Sequence, residues 1–255
     1  MATRIIAFVN NKGGIARTTS IFNIAYGLQK KNKKVLCIDL DAQGNLSLAF
    51  NIKPENMQGR SVSELLKGEA TATECLHTID NIDIIPSNLT LSFTELELFT
   101  KPKREETLKR FIEPIKNNYD FILLDTAPNL LLLTQNALTL ATELLTPTEA
   151  GYFALNGVAQ LFVFIRKQIT DILNPNLIFD GAFITKYNTT TTLTKDVEAE
   201  YKRILQDNLL TSKIRRDVKL EESPSYHKSI YDYAPKSKGA EDYEALTTEI
   251  IALHD

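Results

Sequence analysis

The feature that most constrains this chain lies near its N-terminus. Ile5-Ile6-Ala7-Phe8-Val9 is a short, solidly apolar run, the pattern of a strand buried on both faces. It leads straight into Asn10-Asn11-Lys12-Gly13-Gly14-Ile15-Ala16-Arg17-Thr18-Thr19. From Thr18 to Lys31 the apolar residues Ile21, Ile24, Ala25 and Leu28 then recur at helical spacing. A doubly buried strand turned by glycines into a helix needs layers above and below it, as in α/β folds. The same succession is the physical recipe for cradling phosphate. Glycines let backbone N–H groups turn toward an anion, the helix N-terminus adds about half a positive charge, and Thr18 offers a hydroxyl to Mg²⁺.

Strand and helix patterns alternate through most of the chain. Further strands are expected over Lys34–Leu40, Ile82–Pro86, Tyr119–Asp125, Glu143–Pro147 and Leu177–Ile184. Helices are expected over Lys103–Asn117, Leu131–Ala141, Asn156–Leu173, Thr194–Leu205 and Gly239–Leu253. This order predicts an α/β fold, a P-loop NTPase-like, mostly parallel twisted sheet with helices on both faces. No linker or repeat divides the sequence, so residues 1–255 read as one domain. The stretch Gln43–Leu98 is the least regular and is where lid or switch segments are expected. Thr189-Thr190-Thr191-Thr192 reads as a loop leading into a helix.

Composition removes several function classes. With 255 residues, 43% hydrophobic and 24% charged, the chain has the make-up of an ordinary globular protein. Lys+Arg 29 against Asp+Glu 32 gives a net charge of −3, so nucleic-acid binding would need a local basic patch. Cys37 lies in an apolar run and Cys75 stands alone in a polar stretch; neither has a metal-ligand partner at suitable spacing. No signal peptide is readable and no apolar run approaches the roughly 18 residues of a membrane span, so a reduced cytoplasmic setting is expected.

The N-terminal loop departs from the strict G-x-x-x-x-G-K-[ST] pattern. Asn11 stands at its first glycine, Ala16 at its second and Arg17 at its lysine. A Gly-Gly turn without a ligand would give the same local pattern. Two further strands bear on the choice. One ends Asp39-Leu40-Asp41 and another ends Asp125-Thr126, so carboxylates stand at the sheet edge where open α/β folds bind ligands.

Together, KGGIARTT, DLDAQGN and YDFILLDTAP resemble the deviant Walker A, Walker A′ and Walker B motifs of the ParA/Soj/MinD family of partition and positioning ATPases. NALTLATELLTPTEAGYFALNG and DVKLEESPSYHKSIYDYAPKSKGAEDY are similar to ParA segments too, so the resemblance spans essentially the whole chain. It implies ATP/ADP and Mg²⁺ as cofactors. Lys12, Gly13, Gly14, Ile15, Ala16, Arg17, Thr18 and Thr19 match the phosphate cradle. Lys12 matches the lysine that reaches across a nucleotide-sandwich homodimer, and Thr18, Asp39 and Asp125 match groups around the metal and γ-phosphate. Asp41 matches the carboxylate that positions the attacking water. Lys12, Asp41 and Arg17 are therefore the expected catalytic residues.

Where the family has Gly-Lys, this chain has Ala16-Arg17. An Ala methyl is penalised if the position needs positive φ, and Arg's planar fork does not fill a lysine's slot unchanged. The leading expectation is an ATPase for DNA partition or cargo positioning whose hydrolysis is weak or lost because of Arg17. The second reading is a degenerate ParA-like binding or regulatory module with little or no ATP hydrolysis. Gly151, where the family usually carries an acid, and Asn156 are lesser departures. The resemblance also implies non-specific DNA as a partner, a ParB-like adaptor that stimulates turnover, and nucleoid association. From Lys202 to Lys238 there are nine Lys/Arg against five acids, a local excess of four. Lys202, Arg203, Arg216 and Lys219 are the chosen DNA contacts. The C-terminus, Glu249-Ile250-Ile251-Ala252-Leu253-His254-Asp255, has no basic amphipathic character, so membrane docking is not expected. The chain is expected to lack the N-terminal DNA-binding extension of larger plasmid forms.

Overall fold

In a computed structural model that describes residues 2–190 and 192–254, the apolar runs become the centre of one eight-stranded sheet. The strands are β1 (Arg4–Phe8), β2 (Val35–Leu40), β3 (His77–Ile79), β4 (Ile82–Ile85), β5 (Phe121–Thr126), β6 (Glu143–Glu149), β7 (Ile178–Tyr187) and β8 (Leu209–Arg215). Their spatial order is β3-β4-β2-β5-β1-β6-β7-β8. Among the described residues, only the β3–β4 pairing is antiparallel. The expected α/β sheet, mostly parallel with helices on both faces, is the one observed.

The helices are α1 (Arg17–Lys30), α2 (Asn45–Ala49), α3 (Pro54–Met57), α4 (Val62–Lys67), α5 (Thr90–Leu98), α6 (Thr107–Ile112) and α7 (Leu132–Leu140). They continue with α8 (Tyr152–Phe164), α9 (Thr192–Leu205), α10 (Val218–Glu222), α11 (Ile230–Tyr233) and α12 (Lys238–Ala252). Strand period sorts the core. In β1, Ile5 and Ala7 face a layer with residues of α4 to α8, while Ile6 and Phe8 face α1, α2 and α12. In β5, Ile122 and Leu124 divide from Phe121 and Leu123 in the same way. A strand buried on both faces cannot show hydrophobic alternation, which is why these runs are unbroken.

Several boundaries move. The helix expected over Lys103–Asn117 is only α6 with a 3-10 turn on each side, Arg104–Glu106 and Lys116–Asn118. Asn156–Leu173 is α8 followed by a π-helical stretch, Ile165–Thr170. Gln43–Leu98 holds four short helices beyond its first turn, plus the β3–β4 hairpin, and Cys75 within it is fully buried with its thiol donating to the Ser61 carbonyl at 3.3 Å. Within the threonine run, Thr191 lies outside the described residues.

At the amino edge of the sheet, three strands and the C-terminus converge on acids. The Arg4 guanidinium forks Glu143 (Nε–Oε1 2.8 Å, Nη2–Oε2 2.6 Å), and His254 Nε2 lies 2.8 Å from Asp180 Oδ1. Asp180 Oδ2 is buried with no hydrogen-bond partner. Burial and the adjacent Glu143 push Asp180 up to about 7, against the pull of His254. A raised carboxyl stabilises the fold below its unfolded value and loses that contribution as pH rises through about 7. Asp180→Asn would turn an amide N–H toward Glu143. It is expected to add about 1 kcal/mol at pH 8 and to flatten the stability change between pH 6 and pH 8, read by urea denaturation. No gain at pH 8 would contradict this account of the site.

Candidate functional site

The carboxyl ends of β1, β2 and β5 open onto a cleft of about 1120 Å³. Its lining includes Lys12 through Thr19, then Asp41, Pro128, Lys186, Arg216 and Tyr243. The loop between β1 and α1 is braced from outside. Asn10, itself buried, accepts from Lys12 N with Oδ1 (3.0 Å) and donates to the Pro147 carbonyl with Nδ2 (2.9 Å). The carbonyl of Ile15 accepts from Thr185 Oγ1 at 2.9 Å, and that of Gly14 from Lys186 Nζ at 2.5 Å. With these carbonyls occupied elsewhere, the first turn of α1 presents N–H groups without a side-chain cap at Ala16. Uncapped N–H groups at a helix N-terminus favour an anion such as phosphate.

Ala16 caps α1 in the left-handed region, φ 62 and ψ 29. The conformation costs a non-glycine residue about 1–2 kcal/mol. The Arg17 side chain is taken up by two neighbours. Its Nε lies 3.2 Å from Asp125 Oδ1 and its Nη1 donates to the Asn10 carbonyl at 2.9 Å. The side chain is 8% exposed and Asp125 is wholly buried. The Thr18 hydroxyl donates to Asp125 Oδ2 at 2.7 Å. Burial pushes the Asp125 carboxyl up, opposed by Arg17 and Thr18.

The three acids do different work. Asp39 pairs with Asp125 across the β2–β5 register. Both Asp39 oxygens serve the backbone frame: Oδ1 accepts from Asp41 N (3.1 Å), and Oδ2 from Ser47 N (2.9 Å) and Ser47 Oγ (2.7 Å). Burial first, and Asp125 second, raise Asp39 to about 7. Asp39 is thus placed behind the cleft wall rather than on it. Asp41 lies on the wall, with Oδ1 accepting from Gln43 N at 2.9 Å. Gly44 closes this turn at φ 63; a Cβ there would stand 2.7 Å from the Ser87 carbonyl. Asp125 likewise has both oxygens engaged, by Arg17 and Thr18, so of this group the Thr18 hydroxyl, backed by Asp125, is the hard oxygen that faces the cleft and suits Mg²⁺.

Lys12 meets an acid that the sequence does not single out. Its Nζ lies 2.7 Å from Glu149 Oε2, and Lys186 Nζ lies 3.4 Å from Glu149 Oε1. These lysines outweigh partial burial and hold Glu149 below its ordinary range. Asn10, Thr185, Lys186 and Glu149 all sit at the carboxyl edge of the sheet. Polar residues closing an apolar strand were the available signal.

Comparison with known proteins settles the family. A family model described as an AAA domain matches residues 3–179. The chain is 36% identical to the sporulation initiation inhibitor protein Soj of Bacillus subtilis over 251 residues, 98% of each chain. It is 37% identical to the chromosome-partitioning ATPase Soj of Treponema pallidum, over 98% of this chain and 97% of that protein. The chain belongs to the ParA/Soj family of partition ATPases. Among solved structures, cobyrinic acid a,c-diamide synthase from Mycobacterium smegmatis with bound ADP and magnesium superposes with a TM-score of 0.86 at 30% identity, covering 98% and 94% of the two chains. ADP and Mg²⁺ are the cofactors that the motifs imply, and a ParA/Soj-type cleft is where the loop geometry above would hold them.

Of the four expected DNA contacts, three are engaged in surface ion pairs. Lys202 pairs with Glu198 (3.0 Å), Arg203 with Glu200 (2.5 Å) and Lys219 with Glu222 (2.9 Å). Arg216 is exposed at the cleft wall, with no ion pair among the described residues. Lys213 and Arg215 are likewise engaged, by Glu198 and by Glu241 and Asp242. Extending the window to residues 198–242 brings in those flanking acids and balances nine bases against nine acids. Four of the acids that pair with these bases, Glu198, Glu200, Glu241 and Asp242, flank the stretch from Lys202 to Lys238, and Glu222 lies within it. No helix among the described residues is long and apolar enough to cross a membrane.

Proposed function

We propose that this ParA/Soj protein is a nucleotide-dependent partition or cargo-positioning ATPase with slow turnover. In this reading it binds ATP and Mg²⁺ in the cleft, pairs as a nucleotide-sandwich homodimer, binds non-specific DNA and answers to a ParB-like adaptor. The observation that carries it is the loop from Lys12 to Thr19. Its carbonyls are tied outward, its helix N-terminus is uncapped, and its Thr18 hydroxyl meets Asp125 at 2.7 Å. Phosphoryl transfer asks for charge neutralisation and a positioned water, and Lys12 and Asp41 would supply these. Thr18 and Asp125 would hold Mg²⁺, whose contribution is neutralisation of phosphate charge. Slow turnover follows from Arg17, which is committed to Asp125 and Asn10 rather than to the cradle.

A second reading, a binding or regulatory module without turnover, draws on that same Arg17 pairing. Steady-state ATP hydrolysis with DNA and the adaptor separates the two, and equilibrium titration with ATP and Mg²⁺, then with duplex DNA, tests the binding on which the first depends. Binding should be measurable, and DNA should bind only the ATP-type dimer, without sequence preference. Each phosphate contact contributes about 0.9 to the log–log salt slope. Arg216→Ala should therefore flatten the slope by about one unit, and Lys202→Ala by less, because Lys202 already has Glu198. A dimer locked with ATP analogue that fails to bind duplex DNA at low salt would remove the DNA function and favour the second reading.

A further inference from the structure

We propose that Glu149 is a positioning residue for phosphate binding, an internal stand-in that holds Lys12 and Lys186 until nucleotide phosphate, for Lys12 that of the nucleotide held by a second copy of the chain, replaces it. The inference rests on the nucleotide-binding reading above and adds to it a group that sets affinity. Three contacts converge at one point of the cleft mouth. Lys12 Nζ takes one Glu149 oxygen at 2.7 Å, Lys186 Nζ faces the other at 3.4 Å, and Lys186 Nζ also donates to the Gly14 carbonyl at 2.5 Å.

The frame beneath fixes the position of the acid. Glu149 ends β6 in register with Thr185 of β7, and Thr185 Oγ1 holds the carbonyls of both Ile15 and Thr148. Tyr201 Oη reaches Thr148 Oγ1 at 2.7 Å and the Glu149 carbonyl at 3.4 Å. Lys186 takes a left-handed backbone, φ 50, which a side chain normally avoids. Both ammonium groups remain 43–50% exposed at the side-chain level, so an incoming anion can reach them. Exposed ion pairs of this kind are weak and salt-sensitive, while a phosphate offers more charge and more acceptor oxygens. Exchange from Glu149 to phosphate is then favourable, but each binding event first breaks the resident contacts.

Glu149→Gln keeps the shape and removes the competing charge. Binding of a non-hydrolysable ATP analogue with Mg²⁺, followed by calorimetry, is expected to tighten about fivefold, with a smaller gain for ADP. Glu149→Asp keeps the charge and should return affinity toward that of the unaltered protein. Lys186→Gln should weaken analogue binding about fivefold, because it removes one of the two cations the phosphate takes over. Thermal melting of the free proteins checks that each variant is folded. Equal or weaker analogue binding by folded Glu149→Gln, with binding by the unaltered protein intact, would overturn the stand-in role alone. If no protein in the set binds nucleotide, the nucleotide reading fails and the stand-in role with it.

Discussion

Converting Ala16-Arg17 to Gly-Lys is expected to raise ATP turnover at least about tenfold, equivalent to about 1.4 kcal/mol of transition-state stabilisation. Two separate defects are relieved. Glycine accepts φ 62 without the Cβ penalty that Ala16 carries. Lysine, with one ammonium on a flexible stem, cannot reproduce both the Asp125 and Asn10 contacts of the Arg17 fork, and is freer to meet phosphate. Steady-state phosphate release with DNA and the cognate adaptor present is the measurement. Unaltered turnover in a folded double variant would show that the loop sequence does not limit the reaction.

The second large effect concerns Asp41. Asp41→Ala should keep nucleotide binding and dimerisation and lose hydrolysis, by about 10²-fold or more, the usual contribution of a positioned proton acceptor. Its carboxylate lies on the cleft wall and spends one oxygen on Gln43 N, leaving the other without a protein donor among the described residues. Loss of nucleotide binding in the folded variant would assign Asp41 to the binding frame instead.

The parts of this molecule that could be read from sequence are those where one physical demand dominates. β1, β2 and β5 announce themselves because burial on both faces excludes polar residues. The Gly13-Gly14 turn stands out because backbone must approach an anion. β8 did not stand out: Leu210 and Ile214 are buried, but Thr211, Ser212 and Lys213 between them read as a polar loop. β3 is three residues long and exposed or half-buried, so it carries little hydrophobic signal, whereas its partner β4, buried at Ile82, Ile84 and Ile85, lies where a strand was expected. Within the site, the acids at the ends of β2 and β5 were legible as a group, but not their division of labour. That depends on Ser47, which only the fold brings beneath Asp39. Glu149 and Lys186 were illegible for the same reason, since each gains meaning from a loop more than 130 residues away in sequence.

The tie between Asp39 and Ser47 has a thermodynamic meaning. Ser87 N donates to Ser47 Oγ at 2.8 Å, and Ser47 donates in turn to Asp39, so the end of β2, the start of α2 and the chain after β4 are laced together under the Asp41 turn. A turn fastened from below at Asp39 and Ser47, and closed against Ser87 at Gly44, has its ordering entropy settled when the chain folds. Little reorganisation then remains for Asp41 when a ligand arrives, which is the condition under which a fixed carboxylate acts most strongly on developing charge.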